Sequence, residues 1–282
     1  MAVPPRFPLR TADSLRERGV DVSADTDGIV TEIRATKTET EVDYVRTAQR
    51  ANEAAMEAAE SLSKRRTWPK TDARSRRRDA DERAGQRGDR GDAAAARLLA
   101  RRDYRRLRGG RRGPSRPGSG PLVAHEPVII DIFPKDKATK YHADMTRTFV
   151  KGEPSETVRE WYDLTERAME AAFDALEPGA TGADVHDAVC DVYEDAGEPT
   201  LRDDDRTETG FIHSTGHGVG LDVHELPRLA PNGGELEPGT SSRRARRLRL
   251  ADGGVRIEDL VVVTADGAEL DRVRDRPRSE AY

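Results

Sequence analysis

Cysteine is all but missing from this chain. Cys190 is the only one, so neither an internal disulfide nor a cysteine-based metal cage can form, and any bound metal must be held by oxygen and nitrogen. Long apolar runs are also absent. The longest, such as Pro127-Val128-Ile129-Ile130 and Leu260-Val261-Val262-Val263, fall far short of the roughly 20 residues that a membrane span needs. The first ten residues contain no apolar stretch ahead of a small-residue cleavage site, so the expected compartment is the cytoplasm, with no membrane partner. Aromatic residues make up 5% of the chain. Lysine is scarce, and acidic runs such as Arg202-Asp203-Asp204-Asp205 match the balance of a protein kept soluble in high salt, which suggests a halophilic source.

The net charge of −5 conceals a division. Residues 64–120 carry 20 Lys+Arg against 7 Asp+Glu. That block lacks apolar periodicity and offers only Trp68 and Tyr104 for base stacking. It therefore reads as a disordered basic stretch rather than a nucleic-acid-binding insertion.

The 282 residues suffice for one large domain or two modest ones. Residues 1–35 form a short mixed segment, too small for a domain, in which Gly28 to Arg34 could be one strand. From Thr38 to about Ser63 the apolar positions Val42, Val45, Ala48, Ala55, Met56 and Ala59 follow the helical period. Pro127 to Phe133 reads as a buried strand with Met145 to Val150 as its hairpin partner. Helices are expected over Ser155–Leu176, stopping at Pro178-Gly179, and over Gly182–Ala196, stopping at Gly197. Short Gly-rich strands around 211–224 and a last strand from Val255 to Thr264 complete an α+β pattern.

Three islands place metal-binding residue types on or beside these strands. Asp131 sits inside an apolar strand, where an acid is costly unless paired or metal-bound, and a hairpin can bring Asp144 onto its face. The run His213-Ser-Thr-Gly-His217-Gly-Val-Gly-Leu-Asp-Val-His224-Glu225 holds three imidazoles, and Gly216, Gly218 and Gly220 allow close backbone approach to a ligand. Glu258 enters another apolar strand. Two Asp, a Glu and a His suit Mn, Co, Zn or Fe, and two bridged ions could activate a water for hydrolysis. Taken singly, Asp131 could instead pair with Arg147, Glu258 with Arg256, and the histidines could be loop residues. Their joint occurrence favours a metal site.

His-Gly-Val-Gly-Leu-Asp-Val-His-Glu (217–225) together with Val-Arg-Ile-Glu-Asp (255–259) resembles the pita-bread metallopeptidases, the creatinase/aminopeptidase-like family that includes Xaa-Pro aminopeptidases, prolidases and methionine aminopeptidases. The resemblance spans 38–63 and 121–268. It implies a pita-bread catalytic domain over 36–282, preceded at 1–35 by the remnant of an N-terminal creatinase-like domain. It further implies two divalent metal ions on Asp131, Asp144, His217 and Glu258. By the same resemblance, His224 would hydrogen-bond the scissile carbonyl or the tetrahedral intermediate, His213 would line the substrate pocket, and Arg256 would mark the Xaa-Pro branch as a substrate-binding residue. The implied reaction is hydrolysis of the peptide bond between an N-terminal residue and proline, with a glutamate as general base; the implied partner is a peptide substrate, and the intact family member is implied to be a homodimer.

Two family residues are missing: a His well before Asp131 and a fifth ligand, a Glu ahead of Glu258. Residues 241–250 contain no acid. They read either as a basic loop or as a strand translated out of frame, as do 64–120 and 269–282. One base later, 242–250 can encode Val-Val-Glu-Pro-Gly with Glu where Arg244 stands, and Asp103 to Pro117 can encode a His where Ser115 stands. One offset repairs both gaps. As written, the chain is expected to hold two, one or no metal ions and to be impaired, with a non-catalytic peptide- or protein-binding domain as the alternative.

Overall fold

The computed structural model describes residues 1–4, 7–25, 28–65, 124–177, 179–239, 241–250, 253–264 and 267–270; the expected disordered stretch lies outside these apart from Lys64 and Arg65, which end a helix. Two short strands, β1 (Ala2–Val3) and β2 (Ser23–Ala24), pair in parallel beside helix α1 (Leu9–Glu17), with Val3, Ala12 and Val22 buried between them. Gly28 to Arg34 does not form the expected strand. Ile29–Ile33 is a short helix, α2, because the Asp25 carboxylate accepts the backbone N–H groups of Ile29 (3.1 Å) and Val30 (2.8 Å) and satisfies its first turn.

Helix α3 (Glu39–Arg65) begins where expected. Glu41 accepts from the Thr38 backbone and hydroxyl, both at 2.8 Å, and Thr38 Oγ1 accepts from Glu41 N, which closes a capping box. Its first half buries Val45 with Tyr141, Val219 and Leu260, and its second half packs Met56 and Ala59 against Val128, Ile130, Met145 and Phe149. Helices α4 (Glu156–Asp174) and α5 (Gly182–Asp195) match their expected spans closely. Ser155 caps α4, a Thr181–Asp184 capping box starts α5, and Gly197 at φ 79° ends α5.

The strands β3 (Pro127–Ile132), β4 (Met145–Val150), β5 (Gly210–Phe211), β6 (Gly216–Gly218), β7 (Glu225–Leu229), β8 (Ser241–Leu250), β9 (Gly253–Thr264) and β10 (Gly267–Leu270) form one sheet in the order β3-β4-β9-β8-β6-β7, with β10 on β9 and β5 on β8. Every pair in it is antiparallel. Residues 241–250, read from sequence as a basic loop or an out-of-frame strand, have the backbone of a strand paired along its whole length with β9. Alternation along β9 sorts its side chains. Val255, Ile257, Val261 and Val263 join the cores under α4 and α5, with Leu164, Val189, Tyr193 and Phe211, while Glu258 and Leu260 point to the other side.

Candidate metal centre

Strand register assembles the site. Asp131 on β3 stands opposite Thr146 on β4, which stands opposite Glu258 on β9, so all three share one face. Asp144, just before β4, comes from the same side. Carboxylate oxygens of Asp131, Asp144 and Glu258 all lie within 4.8 Å of one another, and all three residues are buried. Thr146 Oγ1 donates to Glu258 Oε2. Arg256, two residues before Glu258 and so on its face, sets Nη1 at 3.2 Å from Asp131 Oδ2 and Nε at 3.5 Å from Glu258 Oε1. The Arg256 backbone is held in turn by Thr148, whose hydroxyl donates to its carbonyl at 2.8 Å and accepts its N–H at 2.9 Å.

The ion pairs differ from those weighed on sequence alone. Arg147 cannot reach Asp131, because it projects from the opposite face of β4; it binds Asp259 Oδ1 at 2.6 Å, while Asp131 takes Arg256. The expected Glu258–Arg256 pair is present but shared with Asp131. Three buried carboxylates thus converge, with Arg256 paired to two of them. At an effective dielectric of 20, like charges 4.8 Å apart repel by about 3.5 kcal/mol. A divalent cation taking hard oxygen ligands relieves that repulsion, so the donor set fits such an ion.

His217 lies on β6 outside the group of three. It stands opposite Arg243, and Arg243 opposite Leu260, which places it on the Glu258 face with β8 between. Its Nδ1 is 3.0 Å from the Gly218 carbonyl; a proton there makes Nε2 the lone-pair nitrogen. The His224 ring lies against His217, centroids 4.1 Å apart. His224 and His213 are both exposed. The glycines between them serve the chain's own packing. A Cβ on Gly218 would strike the Leu226 carbonyl, and one on Gly220 would strike the Glu225 carboxylate. The expected fifth-ligand position falls in β8. Arg244 stands opposite Asp259, and it is Ala245 that stands opposite Glu258.

Sequence reasoning did not single out Thr146 and Thr148, whose alternation with Asp144 along β4 was the available signal. Nor did it find the ion pairs behind His224. Glu225 accepts from Lys37 Nζ at 3.2 Å and pairs with Arg34, which also reaches Asp222 at 2.9 Å.

Residues 43–265 match Metallopeptidase family M24. The chain belongs to this family. The probable dipeptidase PepE of Mycobacterium tuberculosis is 40% identical over 143 residues, covering 50% of this chain and 36% of that protein. The Xaa-Pro dipeptidase of Lactobacillus delbrueckii subsp. lactis is 34% identical over 154 residues, covering 54% and 39%. The aligned part thus spans well under half the length of these curated relatives. The structure of the prolidase from Pyrococcus furiosus superposes with a TM-score of 0.71 at 24% identity, over 98% of this chain and 76% of that one. The expected pita-bread fold of the M24 metallopeptidases is therefore present. Among the described residues, no helix is long and apolar enough to cross a membrane.

Proposed function

We propose that this M24 protein is a divalent-metal-dependent peptidase that removes the N-terminal residue from Xaa-Pro peptides. The observation that carries the reading is the buried group of Asp131, Asp144 and Glu258, which would hold the ion; His217, on the same face of the sheet, joins them as a ligand by the family resemblance. An ion held there would supply Lewis acidity for a water and for the substrate carbonyl. Glu258, held by Thr146 and Arg256, is oriented as an acceptor. His224 donates to the scissile carbonyl oxygen, and His213 lines the pocket entrance. Arg256 has two tasks: it fixes the two carboxylates, and it meets the substrate. The reading extends to an ion drawn from Mn, Co, Zn and Fe, with manganese the one used for testing, and to a homodimer, a cytoplasmic setting and a halophilic source, all of which rest on the resemblance and the composition.

A second reading is favoured by the register of β8. With Ala245 opposite Glu258 and no acid anywhere in β8, three carboxylates suit one divalent ion better than two. Such a site is impaired, and in the limit it binds peptides without cleaving them. The gene's codons for 240–251 decide whether a shifted frame restores a glutamate there.

The test is a titration of the full chain with Mn²⁺, followed by unfolding and by hydrolysis of an Xaa-Pro dipeptide. Saturation at a hundredfold excess over Kd should stabilise the fold by about 2.7 kcal/mol, and Asp144→Asn should abolish the effect. Stabilisation with cleavage supports the peptidase. Stabilisation without cleavage moves the protein to the binding reading, and no stabilisation refutes the metal centre.

A further inference from the structure

We propose that Lys37 is a positioning residue for His224, acting through the Glu225 carboxylate. Lys37 lies between α2 and α3, remote in sequence from every residue of the metal centre. Its backbone is stitched to the sheet: its N–H donates to the Gly239 carbonyl at 2.9 Å, and the Gly239 N–H donates to Val263 on β9 at 2.8 Å. Its side chain runs the other way, to the turn that joins β6 to β7. Nζ donates to the carbonyls of Arg34 (2.6 Å) and Ala35 (3.2 Å) and to Glu225 Oε2 (3.2 Å). All three ammonium protons are thereby used. Lys37 thus ties β9, which carries Glu258, to the turn that carries His224.

The buried state of this lysine argues against a space-filling role. Its side chain is 2% exposed and that of Glu225 5%, and a charge so placed persists only when paired and hydrogen-bonded. Burial pushes the Lys37 ammonium below its ordinary value, and Glu225 pulls the other way. Glu225 passes the constraint on. Its Oε1 accepts the Asp222 N–H at 2.8 Å, and its carboxylate lies against Gly220, where any Cβ would push it aside. The Gly220 N–H donates to Asp222 at 3.0 Å, and its carbonyl accepts from His142 at 2.8 Å. The turn 220–225 is therefore clamped around one carboxylate, and the residue preceding that carboxylate is His224, whose ring rests on His217.

Only the kinetic arm of the test rests on the peptidase reading. The full chain, labelled at histidine, is compared with Lys37→Met and Lys37→Arg by the NMR cross-peak between the His217 and His224 rings and by turnover of an Xaa-Pro dipeptide with Mn²⁺. The expected result for Lys37→Met is disappearance of the cross-peak and a fall in kcat of about 100-fold, the cost of misplacing a catalytic group by about 1 Å, with KM changed far less and with recovery in Lys37→Arg. A cross-peak that persists in Lys37→Met overturns the proposal whether or not the wild type turns over. An inactive wild type whose two rings separate in Lys37→Met supports the positioning role while refuting the peptidase reading. If Lys37→Met does not fold, Glu225→Gln reads the same ion pair: separated rings support the proposal, and an unchanged cross-peak overturns it.

Discussion

Replacing Arg256 with methionine separates two roles that its place in the sequence could not distinguish. A guanidinium that only received substrate would leave the resting fold indifferent to its loss. In the structure its nitrogens lie 3.2 Å from Asp131 and 3.5 Å from Glu258, with the three side chains 11%, 3% and 1% exposed. Each contact is worth about 5 kcal/mol of attraction at an effective dielectric of 20, most of which offsets the cost of burying the charges. Removing this cation leaves three crowded carboxylates, and breaking a buried pair in this way costs about 3–5 kcal/mol. For a domain of this size that is a fall in Tm of roughly 6–20 °C. The assay is thermal unfolding of wild type and Arg256→Met in a chelator and again in saturating Mn²⁺, where the ion supplies the missing positive charge and narrows the gap. Arg147→Met is the control. It breaks the ion pair of the buried Asp259, at 2.6 Å, and a hydrogen bond to the Glu258 carbonyl at 2.8 Å, but its charge serves the opposite face, so the ion does not replace it. A Tm for Arg256→Met equal to wild type in the chelator, or equal rescue of both variants, refutes the reasoning.

Two further outcomes follow from the helices. Thr181→Ala removes the capping box of α5, in which Thr181 Oγ1 accepts the Asp184 N–H at 3.1 Å; it should cost about 1 kcal/mol in urea unfolding, with Thr181→Ser close to wild type. An equal loss in both variants would place the effect in the methyl group instead. Burial lowers the His186 imidazole below its ordinary value of 6.5, with its Nδ1 2.9 Å from Thr215 Oγ1. Because the unfolded chain takes up this proton first, the His186 contribution is fully present above 6.5 and is lost as the pH falls from there through the folded value. The urea midpoint should therefore drop as the pH falls below about 6.5, and less steeply in His186→Asn; parallel slopes would refute the burial effect on His186.

Periodicity is a local property, and what it governs was readable. The apolar spacing in α3 and α4, the Gly197 stop of α5 and the apolar runs in β3, β4 and β9 each state an element within a few residues of where it lies. Local readings failed where a distant partner decided the outcome. Ile29–Ile33 has strand-like composition but no strand to pair with, and Asp25 turned it into a helix. Residues 241–250 read as a basic loop or as an out-of-frame strand, and β9 and β6 decide for a strand by offering hydrogen bonds on both sides. The glycines near His217 suggested room for a ligand, yet at Gly218 and Gly220 the space is taken by the protein's own carbonyl and carboxylate.

The amino-acid sequence by itself determined the family, the carboxylates and imidazoles available for chemistry and most of the elements that bear them, because motif and period are written in neighbouring residues. Only the tertiary structure decided which charges meet. Register is a relation between strands far apart in the chain, and a shift of one residue moves every side chain to the other face. That is why Arg256 and not Arg147 holds Asp131, why Ala245 and not Arg244 stands opposite Glu258, and why Lys37 reaches the turn that carries His224.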